Sequence, residues 1–440
     1  MLGIGGIGMS ALARYYHSHG YTVAGYDRTP SPLTQQLENE GMAIHYEDNP
    51  TLLPALIDFA VYTPAVPKDL KELEALRQND IKIMKRSEAL GLVSEQHFTI
   101  AVAGTHGKTT TTAMVAHILH TCGKDTTAFI GGIANNFNSN LLLGQSKDSI
   151  MVVEADEYDR SFLRLHPNIS IVNSIDADHL DIYGDRQHLV AGFNDFAALT
   201  EGRVIVKEGL AIHTDRGIRF GFGDGCDYRA EILKSEKGVT DFVIHGEGQK
   251  TEVTLPMAGN HNVLNATAAV ALAMEEGIDV EVARRAVAAF EGVQRRFEFL
   301  GEKNDVLVFD DYAHHPTEAT ATLQGFRDAF PDRRVIVAFQ PHLFSRTRDQ
   351  HDAFGSAFAN CDVLLCTDIY PARERPIEGV TGALVSESAL AFGHRNARFV
   401  GDQMNLLPIL KEELKPGDVV VLMGAGNIWK LGQKILEECI

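Results

Sequence analysis

Apolar residues along the chain occur in short continuous runs, separated by longer segments in which they recur at the spacing of an α-helix. Such runs, rich in valine and isoleucine, are typical of strands that are buried on both faces of a parallel sheet. Because strands and helices alternate throughout, we predict an α/β fold in which each part is built on a mainly parallel, doubly wound sheet. The pattern and the length of 440 residues indicate three parts, comprising residues 1–97, 98–294 and 295–440.

One segment departs from this alternation. The apolar runs that predict the parallel strands are residues 21–26, 59–62, 97–103, 149–153, 169–172, 306–309, 334–339, 363–366 and 419–422. Between residues 202 and 257 the runs become short, alternate with polar positions and are separated by glycine, which is typical of hairpins. We therefore expect Rossmann-like first and third parts, and a central part that carries an antiparallel insertion.

The first glycine loop begins unusually early in the chain. Only Met1 and Leu2 precede Gly3, whereas a loop of this type normally follows a complete strand of about five residues. We therefore expect a trimmed start and, as its consequence, a weaker sheet in the first part.

The charge balance limits the possible partners. The chain has 40 basic and 59 acidic residues, which give a net charge of −19. No broad basic face is available for a phosphate backbone, so we expect no nucleic-acid partner. An anionic small ligand must instead be bound locally, by glycine-loop amides, by a few lysine and arginine side chains, or by a metal ion.

Cysteine usage and hydropathy indicate the compartment. The five cysteines form no Cys-x-x-Cys pair and their number is odd, which favours a reducing cytoplasm over a disulfide framework or a zinc site. No stretch approaches about 18 uninterrupted apolar residues, and the start of the chain has no signal-peptide pattern. We therefore expect a cytoplasmic protein that does not interact with a membrane.

A phosphate-binding loop is the strongest single signal. It lies between a predicted strand and a predicted helix, where backbone N–H groups and the helix N-terminus can bind phosphate oxygens. The lysine can reach the β- and γ-phosphates of ATP, and the following hydroxyl can bind Mg²⁺. Val102 stands where the standard spacing has glycine, so the loop is a shorter variant of a P-loop ATPase motif; an ordinary strand-to-helix turn is the alternative. The loop residues are Gly104, Thr105, His106, Gly107, Lys108, Thr109 and Thr110.

Two acidic clusters follow neighbouring strands of the central part. Residues 154–157 come after the run 149–153, and residues 176–179 come after the run 169–172. Ligand sites in parallel sheets lie at the carboxyl ends of strands, so both clusters are expected to face the phosphate loop. Mg²⁺ prefers oxygen ligands and tolerates imidazole, which makes Thr109, Glu154 and His179 candidate ligands. The alternative is that these are solvated turns.

The first glycine loop matches the dinucleotide fingerprint. Gly3, Gly5 and Gly8 have the required spacing, and Asp27 follows the next predicted strand. Taken alone, this pattern is as consistent with an NAD-binding domain as with a site for another nucleotide ligand. No later segment resembles a hydride-transfer site, whereas the central part binds ATP, so we favour the diphosphate of a nucleotide-sugar as the ligand of this loop.

Polar residues also follow two strands of the third part. Residues 310–316 come after one strand and residues 340–346 after the next, which predicts the rim of a substrate site. A metal site at the adjacent histidines 314 and 315 is disfavoured, because Pro316 is expected to begin a helix. Residues 424–427 lack a suitably placed lysine and are interpreted as a structural turn.

Taken in order, these segments resemble the Mur ligase family along nearly the whole chain. The segments that carry the resemblance are residues 3–10, 104–111, 154–157 and 178–179, His261 and Asn262 with Asn265, residues 295–297, residues 311–316 and residues 340–342.

The resemblance implies a UDP-sugar-binding domain, a central ATP-binding domain and a mobile C-terminal domain that binds the amino acid and part of ATP. It implies a step of peptidoglycan synthesis, and hence of cell-wall formation, cell shape and cell division. The implied reaction, driven by ATP with Mg²⁺, joins L-alanine to the lactyl carboxylate of UDP-N-acetylmuramate through an acyl phosphate and gives ADP and phosphate. Domain closure would exclude water from this intermediate. Independently of the resemblance, we expect a monomer or a homodimer.

The resemblance also implies roles for individual residues. The catalytic set is Lys108, Glu154, His179 and Arg296. ATP is bound by the phosphate loop together with Asn265, Arg296, Asp311 and His315. The UDP-sugar is bound by Gly5, Gly6, Ile7, Gly8, Met9, Ser10, Asp27, Thr63 and Arg86. The amino acid is bound by Tyr312, His314, His342 and Arg346.

Two positions depart from the family pattern, and two other functions compete with the one implied. Tyr158 stands where serine is common in the family. Leu343 stands where a second arginine is common. Because that second cation is missing, we hypothesise that Arg346 alone holds the amino-acid carboxylate. One alternative is a recycling ligase that attaches a murein tripeptide; His342 and the bulky Leu343 and Phe344 favour a small amino acid instead. The other is a non-catalytic UDP-sugar sensor, which would not need the ATP- and Mg²⁺-binding residues.

Overall fold

A computed structural model describes residues 1–176, 180–372 and 374–440. The described chain divides into two compact units. The N-terminal unit comprises residues 1–231, 244–251 and 264–290, and the C-terminal unit comprises residues 232–243, 252–263 and 291–440. The predicted boundary between residues 97 and 98 falls within the N-terminal unit.

Helices and strands alternate along most of the described chain. The helices are α1 (Ile7–Ser18), α2 (Pro32–Asn39), α3 (Lys71–Gln78), α4 (Arg86–Ser94), α5 (Lys108–Thr121), α6 (Leu180–Tyr183), α7 (Arg186–Leu199), α8 (Asn260–Glu275), α9 (Val280–Ala288), α10 (Pro316–Ala329), α11 (Phe344–Ala357), α12 (Ala383–Ala391), α13 (Leu406–Glu413) and α14 (Gly432–Glu438). The strands are β1 (Ala24–Tyr26), β2 (Ala43–His45), β3 (Ala60–Tyr62), β4 (Ile83–Lys85), β5 (Thr99–Ala103), β6 (Thr126–Ala134), β7 (Ser139–Leu142), β8 (Ile150–Ala155), β9 (Ile169–Val172), β10 (Val204–Lys207), β11 (Gly217–Gly221), β12 (Tyr228–Glu236), β13 (Val239–Gly246), β14 (Gln249–Leu255), β15 (Glu298–Lys303), β16 (Val306–Asp311), β17 (Arg334–Phe339), β18 (Val363–Thr367), β19 (Ala397–Gly401) and β20 (Asp418–Met423). Short 3₁₀ helices span Pro50–Leu52, Tyr158–Arg164, Gln403–Asn405 and Ile428–Leu431.

The first sheet is small and is centred on the first residues of the chain. Strand β1 pairs with β2, and β3 pairs with β4, both in parallel register. Leu2 lies between the two pairs and forms parallel bridges to Tyr26 and Tyr62. Its N–H donates to Val61 O at 2.8 Å, and the N–H of Tyr26 donates to Met1 O at 2.9 Å. The residues before the glycine loop therefore connect this sheet, although they form no strand of their own.

The second sheet has ten strands in the order β14-β13-β12-β11-β10-β9-β5-β8-β6-β7. From β10 to β6 the neighbouring strands are parallel. This arrangement brings the carboxyl ends of β5, β8 and β9 to one edge. The residues that follow these three strands are therefore neighbours at that edge.

The expected antiparallel insertion begins later than predicted. Strand β11 pairs in parallel with β10 on one side and with β12 on the other. Strand β11 and the start of β12 therefore extend the parallel sheet. Hairpins begin only at β12. The two-residue turns Lys237-Gly238 and Glu247-Gly248 have positive φ at both positions, the conformation that tight antiparallel hairpins require. Short alternating runs did not distinguish edge strands of a parallel sheet from hairpin strands.

The third sheet has six strands in the order β15-β16-β20-β17-β18-β19. All neighbouring pairs are parallel except β15 with β16. Alternate residues of the central strands enter two separate apolar clusters, one packed against α10, α11 and α12 and the other against α13 and α14. The prediction of an α/β fold with mainly parallel, doubly covered sheets is confirmed.

Two strands are longer than their apolar runs. Glu154 lies within β8, and Asp310 and Asp311 lie within β16, whereas all three residues were predicted to follow their strands. The helix predicted to begin at Pro316 is present as α10. Within the part of the chain that the structure describes, none of the helices combines the length and the apolar character needed to cross a bilayer.

Candidate active site

The phosphate loop connects β5 to α5 in the N-terminal unit. Gly104 has φ of +137° and Gly107 has φ of +81°, a backbone region in which glycine is strongly favoured. A side chain at Gly107 would also place its Cβ 2.5 Å from Asn265 Oδ1. Glycine is therefore required at position 107, and Asn265, predicted to bind ATP, lies directly against the loop.

Residues after β9 hold the phosphate loop in place. Ser174 accepts from the N–H of His106 with its Oγ at 2.8 Å and from the N–H of Thr105 with its carbonyl at 3.2 Å. The N–H of Asp176 donates to Thr105 Oγ1 at 3.0 Å, and the Asp176 carboxylate lies 3.3 Å from His106 Nε2. Sequence analysis did not identify the role of Ser174. Its position two residues after a predicted strand was the available signal.

Lys108 occupies the first position of α5 and points back across the loop. Its ammonium group donates to Gly104 O at 2.7 Å and to Glu157 Oε2 at 2.7 Å. Burial alone would lower the pKa of the Lys108 ammonium, but the carboxylates of Glu157 and Asp156 raise it above its ordinary value. Lys108 is therefore a stable cation. Thr109 and Thr110 are buried in the first turn of the same helix.

Two of the predicted metal ligands, Glu154 and His179, were expected at strand ends, and of these two Glu154 lies within the described residues. Its Oε2 accepts from the N–H of Gly131 at 3.0 Å. Asn173, which follows β9, donates to Thr111 Oγ1 at 2.8 Å, while its buried Oδ1 has no hydrogen-bond partner among the described residues. Oxygen donors of this kind fit Mg²⁺, which keeps several water or phosphate ligands. Residues 178 and 179 lie outside the described residues, so the role of His179 stays a prediction.

The close approach of Gly131 to Glu154 leads to a testable expectation. An alanine Cβ at position 131 would lie 2.2 Å from Glu154 Oε2, so Gly131→Ala should displace that carboxylate while leaving the fold intact. We expect the Mg²⁺ concentration for half-maximal activity to rise about tenfold, as for loss of a group that orients a metal ligand. Gly225→Ala is the matched control, because a Cβ there meets no atom within 4 Å. Equal Mg²⁺ dependence of the two variants would contradict this placement of Glu154.

The first glycine loop lies against the polar residues predicted for the UDP-sugar. The N–H of Gly5 donates to Asp27 Oδ2 at 2.7 Å. A Cβ at Gly8 would lie 2.9 Å from Arg86 Nη1, and a Cβ at Gly3 would lie 2.5 Å from Thr63 Cγ2. The glycines thus allow the backbone to approach three of the predicted side chains closely.

Ser10 is placed differently from the other predicted residues of this loop. It is completely buried, donates to Ile7 O at 3.0 Å and accepts from Asn140 Nδ2 at 2.9 Å. Asn140 also accepts from Arg14 Nη1 at 2.7 Å. Ser10 therefore fixes the start of α1 instead of facing solvent. Asn140 was missed by sequence analysis, because nothing local indicates this contact.

One cavity of about 270 Å³ joins the glycine loop to the acidic strand end. On one side it is lined by Gly6, Ile7, Gly8, Met9, Thr63 and Arg86. Glu154 and Asp156 line it from the other side, and Arg86 Nη2 lies 3.5 Å from Asp156 Oδ2. The residues predicted for the UDP-sugar and a residue predicted for Mg²⁺ therefore share one space within the N-terminal unit.

In the C-terminal unit, Asp311 is held at the end of β16. Its Oδ2 accepts from the N–H of Phe297 at 2.8 Å, and its Oδ1 accepts from the N–H of Ala313 at 2.9 Å. Burial raises the pKa of the Asp311 carboxyl above its ordinary value, an effect that the Arg296 guanidinium opposes. The carboxylate thus orders the turn that contains the predicted residue Arg296.

Tyr312 lies between two guanidinium groups. Arg295 and Arg296 each lie over its ring, at 4.8 and 4.9 Å from the centroid, which are cation–π distances. Arg295 further donates to Gly424 O at 2.6 Å and to Asp310 at 3.1 Å. Burial raises the pKa of Asp310 to about 7, against the opposing effect of Arg295. Sequence analysis assigned a role to Arg296 but not to Arg295.

The residues predicted for the amino acid form one contiguous group. The ring of His314 lies 5.2 Å from that of Tyr312 and 5.8 Å from that of His342. Arg346 Nη1 lies 3.4 Å from His342 Nδ1. Glu318, which sequence analysis missed, lies 3.2 Å from His314 Nδ1. The structure therefore brings together all four predicted residues.

Other predicted positions of this unit have structural roles. His315 caps α10, since its Nδ1 accepts from the N–H of Thr317 at 3.3 Å. Gln340 Oε1 accepts from the N–H of Asn427 at 2.8 Å, which agrees with a structural turn at residues 424–427. Leu343 has φ of +73°, a conformation that is rare for a bulky residue. Backbone strain of this kind is frequent near functional sites.

Three models of the Mur ligase family match the chain. The catalytic domain of the family matches residues 1–98, the middle domain matches residues 102–273, and the glutamate ligase domain matches residues 295–426.

Individual relatives agree with this match. A UDP-N-acetylmuramate–L-alanine ligase from Christiangramia forsetii is 44% identical over 99% of the chain and 96% of the relative. The structure of a UDP-N-acetylmuramate–alanine ligase from Thermotoga maritima has a TM-score of 0.83 and 30% identity, over 99% of this chain and 97% of that one. A murein peptide ligase from Psychrobacter arcticus has a TM-score of 0.74 and 27% identity, over 100% and 98%. The chain therefore belongs to the Mur ligase family.

Proposed function

We propose that this ATP-dependent ligase joins L-alanine to the lactyl carboxylate of UDP-N-acetylmuramate, giving ADP and phosphate. The observation that carries the proposal is the cavity in which the glycine loop and Arg86 face Glu154. A nucleotide-sugar bound by the loop amides would extend its acidic end towards the strand edge that carries the phosphate loop. The relatives named for this reaction support the choice of substrates.

The first chemical step is a phosphoryl transfer. An oxygen of the lactyl carboxylate forms a bond to the γ-phosphorus of ATP, and ADP leaves, which gives an acyl phosphate. We assign to Lys108 and the backbone amides at the N-terminus of α5 the task of holding the phosphate oxygens and neutralising their charge. Mg²⁺, held by Thr109, Glu154 and His179, would supply further charge neutralisation when bound.

The second step forms the amide bond. The amine of L-alanine attacks the acyl carbon, a tetrahedral intermediate forms, and phosphate leaves as the nitrogen loses a proton. We assign the binding of the amino acid to the C-terminal unit, where Tyr312, His314, His342 and Arg346 form one group. Arg346 is the guanidinium in this group that is proposed to bind the carboxylate, in the manner usual for arginine.

Removal of the Arg346 side chain tests this assignment. Arg346→Ala should raise KM for L-alanine about a hundredfold, the size expected for loss of a charge-assisted contact to a carboxylate, with little change in KM for ATP. Arg348→Ala is the matched control on the same helix, since Arg348 is half exposed and pairs with its neighbour Asp349 at 2.6 Å. An unchanged KM for L-alanine in Arg346→Ala would show that another group holds the carboxylate.

The remaining expectations are parts of the same proposal. We propose three functional domains at residues 1–97, 98–294 and 295–440, action in the cytoplasm, and a monomeric or homodimeric state. The acidic balance of 40 basic against 59 acidic residues supports the expectation that nucleic acid is not a partner.

A competition experiment separates this function from its nearest alternative. The enzyme is given ATP, Mg²⁺, UDP-N-acetylmuramate and equimolar L-alanine, glycine, L-serine and murein tripeptide, and the products are identified by mass spectrometry. We expect the L-alanine adduct to dominate. A dominant tripeptide adduct would indicate a recycling ligase, and the absence of any ATP turnover would indicate a UDP-sugar sensor.

A further inference from the structure

The ammonium group of Lys108 is fully used within the N-terminal unit. A lysine ammonium has three N–H donors and no acceptor. In this structure it contacts three acceptors: Gly104 O at 2.7 Å, Thr105 O at 3.4 Å and Glu157 Oε2 at 2.7 Å. A phosphate oxygen can therefore bind Lys108 only if one of these contacts is given up.

Among the three acceptors, the Glu157 carboxylate is the one that carries a charge. Its side chain is 1% exposed and that of Lys108 is 13% exposed, so the ion pair is largely shielded from water. An ion pair in such surroundings is stronger than one at the surface. Separation of the two charges is correspondingly costly unless another partner replaces Glu157.

The backbone around Glu157 is held firmly. Glu157 O accepts from Tyr183 Oη at 2.8 Å, and Asp156 O accepts from the N–H of Phe162 at 2.8 Å. Phe162 is completely buried in an aromatic cluster. Asp159, two residues after Glu157, pairs with Lys85 at 2.7 Å. Because Glu157 belongs to a fixed turn, the long Lys108 side chain is the part of the pair that can move.

We propose that Glu157 is a positioning residue that holds Lys108 in the nucleotide-free enzyme and competes with the nucleotide phosphates for its ammonium group. The inference rests on the proposed function, since it takes the phosphate loop to bind ATP. In the absence of nucleotide, Glu157 keeps Lys108 extended across the phosphate loop. When ATP binds, its more highly charged polyphosphate replaces Glu157 as the partner of the ammonium group. The free energy needed to separate Lys108 from Glu157 thus offsets part of the favourable interaction between Lys108 and ATP.

This role gives an unusual expectation for a buried charged residue. Glu157→Gln keeps the shape of the side chain and removes its charge, so Lys108 no longer has to leave an anion. We expect Kd for Mg·ADP, measured by isothermal titration calorimetry without UDP-sugar, to fall about fivefold, the order expected when one nearby like charge is removed from an anion site. A residue that only supported the fold would weaken nucleotide binding when replaced, or leave it unchanged.

The same turn offers a matched control. Asp159→Asn removes one negative charge from the turn without touching Lys108, and asparagine tolerates the φ of +54° at this position better than most residues. We expect its Kd for Mg·ADP to remain that of the unmodified enzyme. Glu157→Asp is a second variant, which keeps the charge but withdraws the carboxylate from its 2.7 Å contact, and it should bind Mg·ADP more tightly by a smaller factor.

The outcomes separate this inference from the proposed function. Tighter binding in Glu157→Gln and Glu157→Asp, with unchanged binding in Asp159→Asn, would support the role of Glu157. Unchanged or weaker binding in folded Glu157→Gln, while the unmodified enzyme binds Mg·ADP, would overturn that role and leave the nucleotide site intact. Absence of Mg·ADP binding by the unmodified enzyme would overturn the nucleotide site itself and this inference with it.

Discussion

Replacement of Lys108 by methionine is expected to lower kcat/KM for ATP about a thousandfold, the size typical of losing a charged group that stabilises a transition state. Methionine keeps the unbranched stem of the side chain but carries no charge. Lys108 lies at the start of α5, its side chain reaches across the loop, and the neighbouring carboxylates of Glu157 and Asp156 raise the pKa of its ammonium group. Phosphate release at saturating UDP-N-acetylmuramate and L-alanine measures the effect.

The control for this variant lies at the other end of the same helix. Lys124 is exposed and follows the C-terminus of α5, so Lys124→Met should retain full activity. Lys108→Met also leaves Glu157 buried without its cation, which reduces stability, so both variants are compared at a temperature where circular dichroism shows them folded. Activity of Lys108→Met within tenfold of the unmodified enzyme would contradict the assignment of the phosphate loop.

The second large effect is expected for Glu154. Glu154→Gln removes a charged oxygen ligand but retains an oxygen that can accept from the N–H of Gly131, so the local backbone is preserved. Because Mg²⁺ binds carboxylates far better than amides, we expect kcat/KM to fall about a hundredfold at ordinary Mg²⁺ concentrations and to recover in part at high Mg²⁺. A titration of activity with Mg²⁺, together with Mn²⁺ binding followed by electron paramagnetic resonance in the presence of ADP, measures the change.

Glu95→Gln is the matched control for this substitution. Glu95 is half exposed and pairs with His166 at 3.1 Å, so its loss should alter neither the Mg²⁺ dependence nor the affinity for Mn²⁺. Identical Mg²⁺ titrations for Glu154→Gln and Glu95→Gln would show that Glu154 is not a metal ligand.

The parts of the site that sequence reasoning could predict are those encoded locally. The phosphate loop was predictable because Gly104, Gly107 and Lys108 must occupy fixed positions between a strand and a helix. The first glycine loop was predictable for the same reason. Strand-end polar residues could be assigned to one edge of a sheet because parallel strands end together.

Contacts between residues distant in sequence could not be predicted in this way. The pairing of Lys108 with Glu157, and that of Asn140 with Ser10, depend on the strand order of the ten-stranded sheet and on the packing of α1. No pattern of spacing in the sequence specifies that order. Arg295 is a similar case, because its contact with Gly424 O spans 129 positions.

Strand ends were the least accurate part of the prediction, and the reason is physical. The predicted strands stopped where the apolar run stopped, yet β8 and β16 continue through Glu154 and Asp311. At the carboxyl edge of a parallel sheet the backbone is still hydrogen-bonded while the side chains already face the ligand. Polar residues there belong both to the strand and to the site.

The measurement that tests the central claim most directly is phosphate release from ATP in the presence of Mg²⁺ and UDP-N-acetylmuramate, with and without L-alanine. The account predicts release that requires both substrates and that yields one phosphate for each UDP-N-acetylmuramate–L-alanine formed. Release that is independent of L-alanine, or that requires the murein tripeptide in its place, would contradict it.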